Sequence, residues 1–296
     1  MNVSLIVLNY NDSASCIKLI DDVVNYEIID NIVVVDNCST DNSFERFIKK
    51  YENNLKIHCI STKINGGYAY GNDFGCKYAI SKLKSDILVI ANPDIKFEEI
   101  VLNKMIETLI KIENSGIIGC SMRCHSGIAL PSAWKLPNYW DLVIDNFKLV
   151  RKLIRNRMLY NDLSDNLSHV EVVAGSFFVI RSEVYTKIQG FDTNTFLYFE
   201  ENILAYKLMM NNYENYLLTN EYYDHFHSVS INNTFSKKKK RFDIANNSKI
   251  YFAKKYLKIS KIQAIILTIT YFIGIYNFLL LDNIRTLIKR IKRKFL

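Results

Sequence analysis

The chain has 296 residues, 49% of them apolar and 23% charged, with ten glycines and three prolines, which excludes a collagen-like or largely disordered polymer. It is long enough for one large α/β domain, or for one domain with a C-terminal extension. Its charge of +8 is local: residues 237–241 (KKKKR) and 282–296 each carry +5, leaving −2 elsewhere, so no nucleic-acid partner is expected and anionic lipid is.

The run VSLIVLNY (3–10) is short, apolar and rich in β-branched residues, and it reads as a first strand. With no basic leader, no cleavage site and too little length to span a bilayer, it predicts a chain that stays in the cytoplasm. A helical stretch then reaches about Asn25. IDNIVVVDN (29–37) is a second strand, and Ser39-Thr40-Asp41 supplies the expected N-cap of the next helix. LKIHCIS (55–61) is a third strand. NGGYAYGNDFG (65–75) follows it and opens a helix; the segment is neither GxGxxG nor a Walker A loop. DILVIANP (86–93) and GIIGCSM (116–122) complete the set. Residues 123–168 are irregular and carry both tryptophans, Trp134 and Trp140. VEVVAGSFFVIR (170–181) reads as one further strand, ENILAYKLMMNNY (201–213) as a helix, and YENYLL (213–218) as a strand running toward HFH (225–227). Buried runs alternating with helices specify a Rossmann-like α/β fold, a mostly parallel sheet with helices on both faces. The six cysteines form no CxxC pair, and Cys120 and Cys124 with His125 match no zinc spacing, so free thiols in a reducing compartment are expected.

In open α/β sheets ligands bind at the carboxyl ends of the strands. Here those ends are polar: Asn9-Tyr10-Asn11-Asp12, Asp36-Asn37 and Asn92-Pro93-Asp94. Each alone is what ends a strand and starts a turn; three at equivalent ends point to one crevice. Asp94 suits a hard divalent cation, Mg²⁺ or Mn²⁺, shared with a diphosphate. Gly66 and Gly67 allow backbone to approach a ligand closely. Glu200 and Glu201 stand at a helix start, where they either answer the helix dipole or act as a general base. His225 and His227, flanking Phe226, read as functional. Residues 3–15 lack the Gly-rich, Arg/Lys-bearing loop that a sugar nucleotidylyltransferase needs.

These stretches resemble the inverting family 2 glycosyltransferases of GT-A fold, in particular their bacterial rhamnosyltransferase-like branch. The matching motifs, in family order, are IVLNYN (6–11), VVVDNCSTDNS (33–43), NGGYAYGNDFG (65–75), LVIANPDI (88–95), VVAGSFFVIRSEVYTKIQGFD (172–192), FLYFEEN (196–202) and HFHSVS (225–230). The resemblance implies a nucleotide-sugar donor, dTDP-rhamnose or a UDP-sugar, with Asn9 and Asp36 on base and ribose. It implies that Asn65, Gly66, Gly67, Asn72 and Asn92 line the donor site. Asp94 is the last carboxylate of a DxD-type motif and the metal ligand, with His225 as a further metal or diphosphate contact. Glu200-Glu201 matches a Glu-Asp pair and makes Glu201 the expected base. Ile203 replaces a further Asp, a departure that suggests a different acceptor contact. A non-catalytic, membrane-bound scaffold and a nucleotidylyltransferase are the alternative readings.

The division expected is a glycosyltransferase domain over 1–235 and a helical extension over 236–296. Residues 262–281 carry no charge, yet Gln263, Thr270, Gly274 and Asn277 form a polar stripe. Such a stripe fits a helix lying at an interface or packed on the protein body. Ile284, Leu287, Ile288, Ile291 and Phe295 recur at helical spacing on a basic segment. The expectation is peripheral attachment to the cytoplasmic face of the membrane and a glycan acceptor, for example one on a polyprenyl carrier, in surface polysaccharide synthesis.

Overall fold

The computed structural model describes residues 1–124, 126–147, 157–160, 163, 165–226 and 238–294, with side chains at 239–277 in the last segment. His125, His227 and the side chains of Ile284, Leu287, Ile288, Ile291 and Phe295 lie outside the described residues.

Strands β1 (Val3–Asn9), β2 (Asn31–Asp36), β3 (Ile57–Ser61) and β4 (Ile87–Ala91) are parallel and ordered β3-β2-β1-β4. Helices α1 (Ser13–Val23), α2 (Ser43–Tyr51) and α3 (Tyr68–Leu83) connect them. β5 (Ile95–Lys96) and α4 (Glu99–Lys111) come next, then β6 (Ser115–Cys124), β7 (Ala129–Leu130) and β8 (Ala133–Trp134). α5 (Tyr139–Asp145), β9 (Leu167–Val170), β10 (Val172–Val173), β11 (Phe177–Arg181), α6 (Ser182–Lys187), α7 (Glu200–Met210) and β12 (Glu214–His225) complete this body. The sheet continues β4-β11-β6-β12-β5, with β11 antiparallel to both neighbours and β12 parallel to β6. This is the mostly parallel, two-faced α/β architecture that the apolar runs specify. Alternate residues serve opposite faces: Val7, Val34 and Phe177 join Leu19, Phe47 and Leu102, whereas Ile6, Val33 and Phe178 join Cys76 and Leu208. All six cysteines are free.

Two local expectations shift. The cap of α2 is Asn42 rather than Ser39-Thr40-Asp41. Ser39 and Thr40 are drawn back to β1 instead: the Ser39 hydroxyl accepts from Asn9 Nδ2 and Asn11 N, and Thr40 N donates to Asn11. The run 170–181 is also three short strands rather than one. It breaks at Glu171, whose carboxylate accepts from Leu136 N and whose carbonyl accepts from Asn215 Nδ2, and again at Ala174–Ser176.

Helices α8 (Lys238–Lys255) and α9 (Lys261–Lys294) pack on α5 and α7 through a third core that contains Tyr139, Leu142, Ile203, Phe252 and Leu267. Gln263, Thr270 and Gly274 of the α9 stripe face this body, whereas Asn277 is exposed. Tyr139 Oη donates to the Gln263 carbonyl, and Asn146 Nδ2 donates to Thr270 Oγ1. A Cβ at Gly274 would stand 2.0 Å from the Asn146 carbonyl oxygen. Among the described residues no helix is long and apolar enough to cross a membrane.

Candidate active site

The parallel register Asn9↔Asp36 sets the last residues of β1 and β2 side by side. Asn9 Nδ2 donates to Asp36 Oδ1 at 2.8 Å, and both side chains are buried. Ser39 N donates to Asp36 Oδ2 at 2.9 Å, so the carboxylate is fixed from two directions. From the next position Asn37 reaches across the crevice: its Nδ2 donates to Asn65 Oδ1 and to the Gly67 carbonyl. Asn65 Oδ1 also accepts from Gly67 N. Gly67 has φ +91, and a Cβ there would meet the Phe196 carbonyl oxygen at 1.9 Å, so only glycine fits. At Gly66 a Cβ would collide with the Tyr70 ring. Asn72 lies one turn into α3, buried, where its Nδ2 donates to the Tyr68 carbonyl and steadies the first turn of the helix.

Asp94 and His225 are 131 positions apart, yet the antiparallel pairing of β5 with β12 aligns Ile95 with His225 and joins them. His225 Nε2 stands 3.3 Å from Asp94 Oδ1, and Phe226 N donates to the Asp94 carbonyl at 2.8 Å. Both side chains keep some access to solvent, 12% for Asp94 and 13% for His225. Two residues upstream, Asn92 N donates to the Ser176 carbonyl at 2.8 Å, which ties this end of β4 to the Ala174–Ser176 turn.

That turn is also where the acidic pair arrives. A Cβ on Gly175 would lie 2.8 Å from Glu201 Oε1 and 3.0 Å from its Cγ, so Glu201 rests directly on the glycine. Burial raises the Glu201 carboxyl above its ordinary range, while the amides of Glu201 and Gly175 work against the shift. Burial, and then the charge of Glu201, push Glu200 well up. Glu200 Oε2 is buried and has no hydrogen-bond partner among the described residues. A carboxyl in that setting favours the protonated form, so the pair carries one charge more readily than two. Tyr68, at the start of α3, donates to the Gly175 carbonyl at 2.6 Å. Its phenol is raised by burial and then by the charges of Glu201 and Glu200. Asn202 accepts from Trp134 Nε1 at 2.9 Å.

The loop that delivers the pair is clasped on two sides. Toward α3, Tyr68 N donates to the Phe196 carbonyl. Toward α8, Ser248 Oγ donates to the Leu197 carbonyl, and Tyr251, Lys255 and Tyr256 all reach Asp192 Oδ2. Those bonds hold the Asp192 carboxyl far below its ordinary range despite burial. Tyr198 and Phe199, the last residues before α7, both have φ 70.

Most of the expected residues fall into three knots: Asn9–Asp36–Asn37 with the Asn65–Gly67 loop, Asp94–His225, and Glu200–Glu201; Asn72 stands behind the first on α3, Asn92 is tied to Ser176, and His227 lies outside the described residues. Tyr68, Gly175 and Ser176, which join the knots, lie inside the motifs at 65–75 and 172–192, but none carries a chemical signature that singles it out in the sequence.

A family model described as glycosyl transferase family 2 matches residues 4–189. The chain belongs to that family. The low-salt glycan biosynthesis hexosyltransferase Agl10 of Haloferax volcanii is 23% identical over 211 residues, covering 71% of this chain and 62% of that relative. The chain therefore spans less than two thirds of that relative's length. Among solved structures, the mannosyltransferase PcManGT of Pyrobaculum calidifontis, in complex with GDP-Man and Mn²⁺, has TM-score 0.60 at 15% identity, covering 92% of this chain and 69% of that one. TarS 1–349 of S. aureus, in complex with UDP-GlcNAc, has TM-score 0.55 at 15% identity, covering 93% and 79%. Both share the GT-A fold of this chain. The family match ends before Glu200, Glu201 and His225, so their placement rests on the geometry above.

Proposed function

We propose that this family 2 member is an inverting glycosyltransferase. Its donor is a nucleoside diphosphate sugar, dTDP-rhamnose or a UDP-sugar, and its acceptor is a hydroxyl of a glycan in surface polysaccharide synthesis, carried for example on a polyprenyl lipid. The observation that carries the reading is the link from Asp94 through Asn92 and Ser176 to Gly175, on which Glu201 rests. It sets a candidate cation ligand and a candidate base on the two flanks of one turn.

Asn9, Asp36 and the Asn65–Gly67 loop, with Asn72 behind it, are assigned to the nucleotide, and Asn92 to the donor site beside Asp94. Asp94 and His225 would hold a Mg²⁺ or Mn²⁺ ion, which a substrate diphosphate would share. No group of three or more potential metal ligands stands together among the described residues. When bound, such an ion neutralises charge on the departing diphosphate. Glu201 accepts the proton of the acceptor hydroxyl. That oxygen then bonds to the anomeric carbon as the bond from carbon to the diphosphate oxygen breaks, the electron pair leaving with the nucleoside diphosphate. A carboxylate whose proton affinity is raised by burial is the better base for this step. Glu201 keeps partial exposure whereas Glu200 is buried, which favours Glu201 for the proton transfer and Glu200 for holding the start of α7.

Residues 1–235 are assigned to the catalytic domain and residues 236–296 to an extension that holds the enzyme peripherally on the cytoplasmic face of the membrane. The test is a thermal-shift panel with dTDP, UDP and GDP, each with and without Mn²⁺, on the parent and on Asp94→Ala. Stabilisation by a pyrimidine diphosphate, dependent on Mn²⁺ and lost in the variant, is expected. No shift with any nucleotide overturns the enzymatic reading in favour of a non-catalytic scaffold.

A further inference from the structure

Helix α9 presents two unlike faces. The inner one is committed to the protein: Gln263, Thr270 and Gly274 meet α5 and the residue after it, Leu267 is fully buried, and Tyr271 Oη donates to Asp243 of α8. The outer one is apolar and bare. Ile262, Ile265, Ile269, Phe272, Ile273 and Tyr276 are all exposed, Phe272 by 61% and Tyr276 by 79%. At 3.6 residues per turn these positions fall within an arc of about 120°, opposite the inner stripe. Trp140, next to the Tyr139 that holds Gln263, is exposed by 63%.

Charge selects what covers this face. No charged residue lies between 262 and 281, but Lys254, Lys258 and Lys261 precede the stripe, and six Lys/Arg against one Asp follow it in 282–296. Two copies packed through this face would set cationic end against cationic end in either the parallel or the antiparallel arrangement, which is repulsive. An anionic bilayer surface complements both ends at once. A helix spanning the bilayer would leave one cationic end on the far side and would tear the inner face from α5 and α8.

We infer that α9 is an in-plane lipid-docking helix, its outer face sunk into the headgroup boundary of an anionic leaflet while its inner face stays bonded to the enzyme. This rests on the membrane placement proposed above and adds the surface and orientation that achieve it.

The test uses the full chain with vesicles of phosphatidylcholine alone or with added phosphatidylserine. Partitioning is expected to require phosphatidylserine, to fall at least about tenfold in Ile269→Glu and in Phe272→Glu, and to survive Ile269→Leu. Tryptophan at 262, 269 or 276 should add equal, shallow quenching by brominated lipid over the parent protein. Nucleotide-induced thermal shifts should be unchanged in every variant. Unaltered binding by both Glu variants would overturn the inference while leaving membrane placement intact, as would quenching that deepens along the helix. Lipid-free dimerisation abolished by the same substitutions would assign the face to a second copy and also overturn it. Absence of any partitioning by the parent would instead overturn the membrane placement itself.

Discussion

Gly175→Ala is the sharpest perturbation the site offers. A methyl group there begins 2.8 Å from Glu201 Oε1 and 3.0 Å from Cγ, whereas ordinary contact starts at 3.4 Å, so the carboxylate must retreat by about 0.6 Å. The atoms that must move are the outer part of a flexible side chain, so the fold should lose no more than about 1 kcal/mol. Chemistry should lose far more, because displacement of a reacting group on the ångström scale costs on the order of 10²-fold in rate. Retreat also takes the carboxylate from the Gly175 amide that opposes its upward shift. If Glu201 is the base, the acid limb of kcat should lie above the ordinary glutamate value of 4.5 in the parent and move further up in the variant. The assay is donor turnover against pH, with nucleotide Kd measured in parallel and expected to be unchanged. Turnover within twofold of the parent and an unmoved acid limb would refute the assignment of Glu201 as base.

Other substitutions probe the remaining knots. Glu201→Gln should abolish transfer while leaving nucleotide-induced thermal shifts within about 1 °C of the parent; retained turnover would return the role to Glu200. Gly67→Ala forces a side chain at φ +91 against a carbonyl oxygen, so it should destabilise by about 2–3 kcal/mol and weaken nucleotide binding, both readable by thermal melting. Asp192→Asn removes a carboxylate whose folded-state pKa is depressed. That stabilisation is present above the ordinary aspartate value of 3.8 and is lost as pH falls through the lower folded value. The Tm gap between parent and variant should therefore be widest near neutrality, about 1–3 kcal/mol in stability, and should narrow toward pH 2; a gap independent of pH would contradict it.

The strand ends were legible because buried parallel strands read as continuous apolar runs that stop abruptly at Asn9, Asp36 and Asn92. Asp94 and His225 were legible only as separate motifs. What joins them is the two-residue strand β5, too short to carry a period. Reading 170–181 as one strand failed because its β-branched and aromatic residues flank single interruptions at Glu171 and Gly175, and the backbone turns at both. The clasp on Asp192 was hidden for a different reason: Tyr251, Lys255 and Tyr256 look like the solvated face of a helix until the tertiary fold brings a carboxylate beneath them.

That clasp binds the fate of two distant stretches of sequence. The loop ending in Tyr198 and Phe199 and the helix Lys238–Lys255 share Asp192, the Ser248–Leu197 bond and the packing of Phe199 on Phe252, whose ring centroids lie 5.6 Å apart. A foreign helix grafted in place of Lys238–Lys255 would leave a buried carboxylate without its lysine and two left-handed residues without support. Loop and helix therefore form one physical unit: a graft that keeps the fold must carry both.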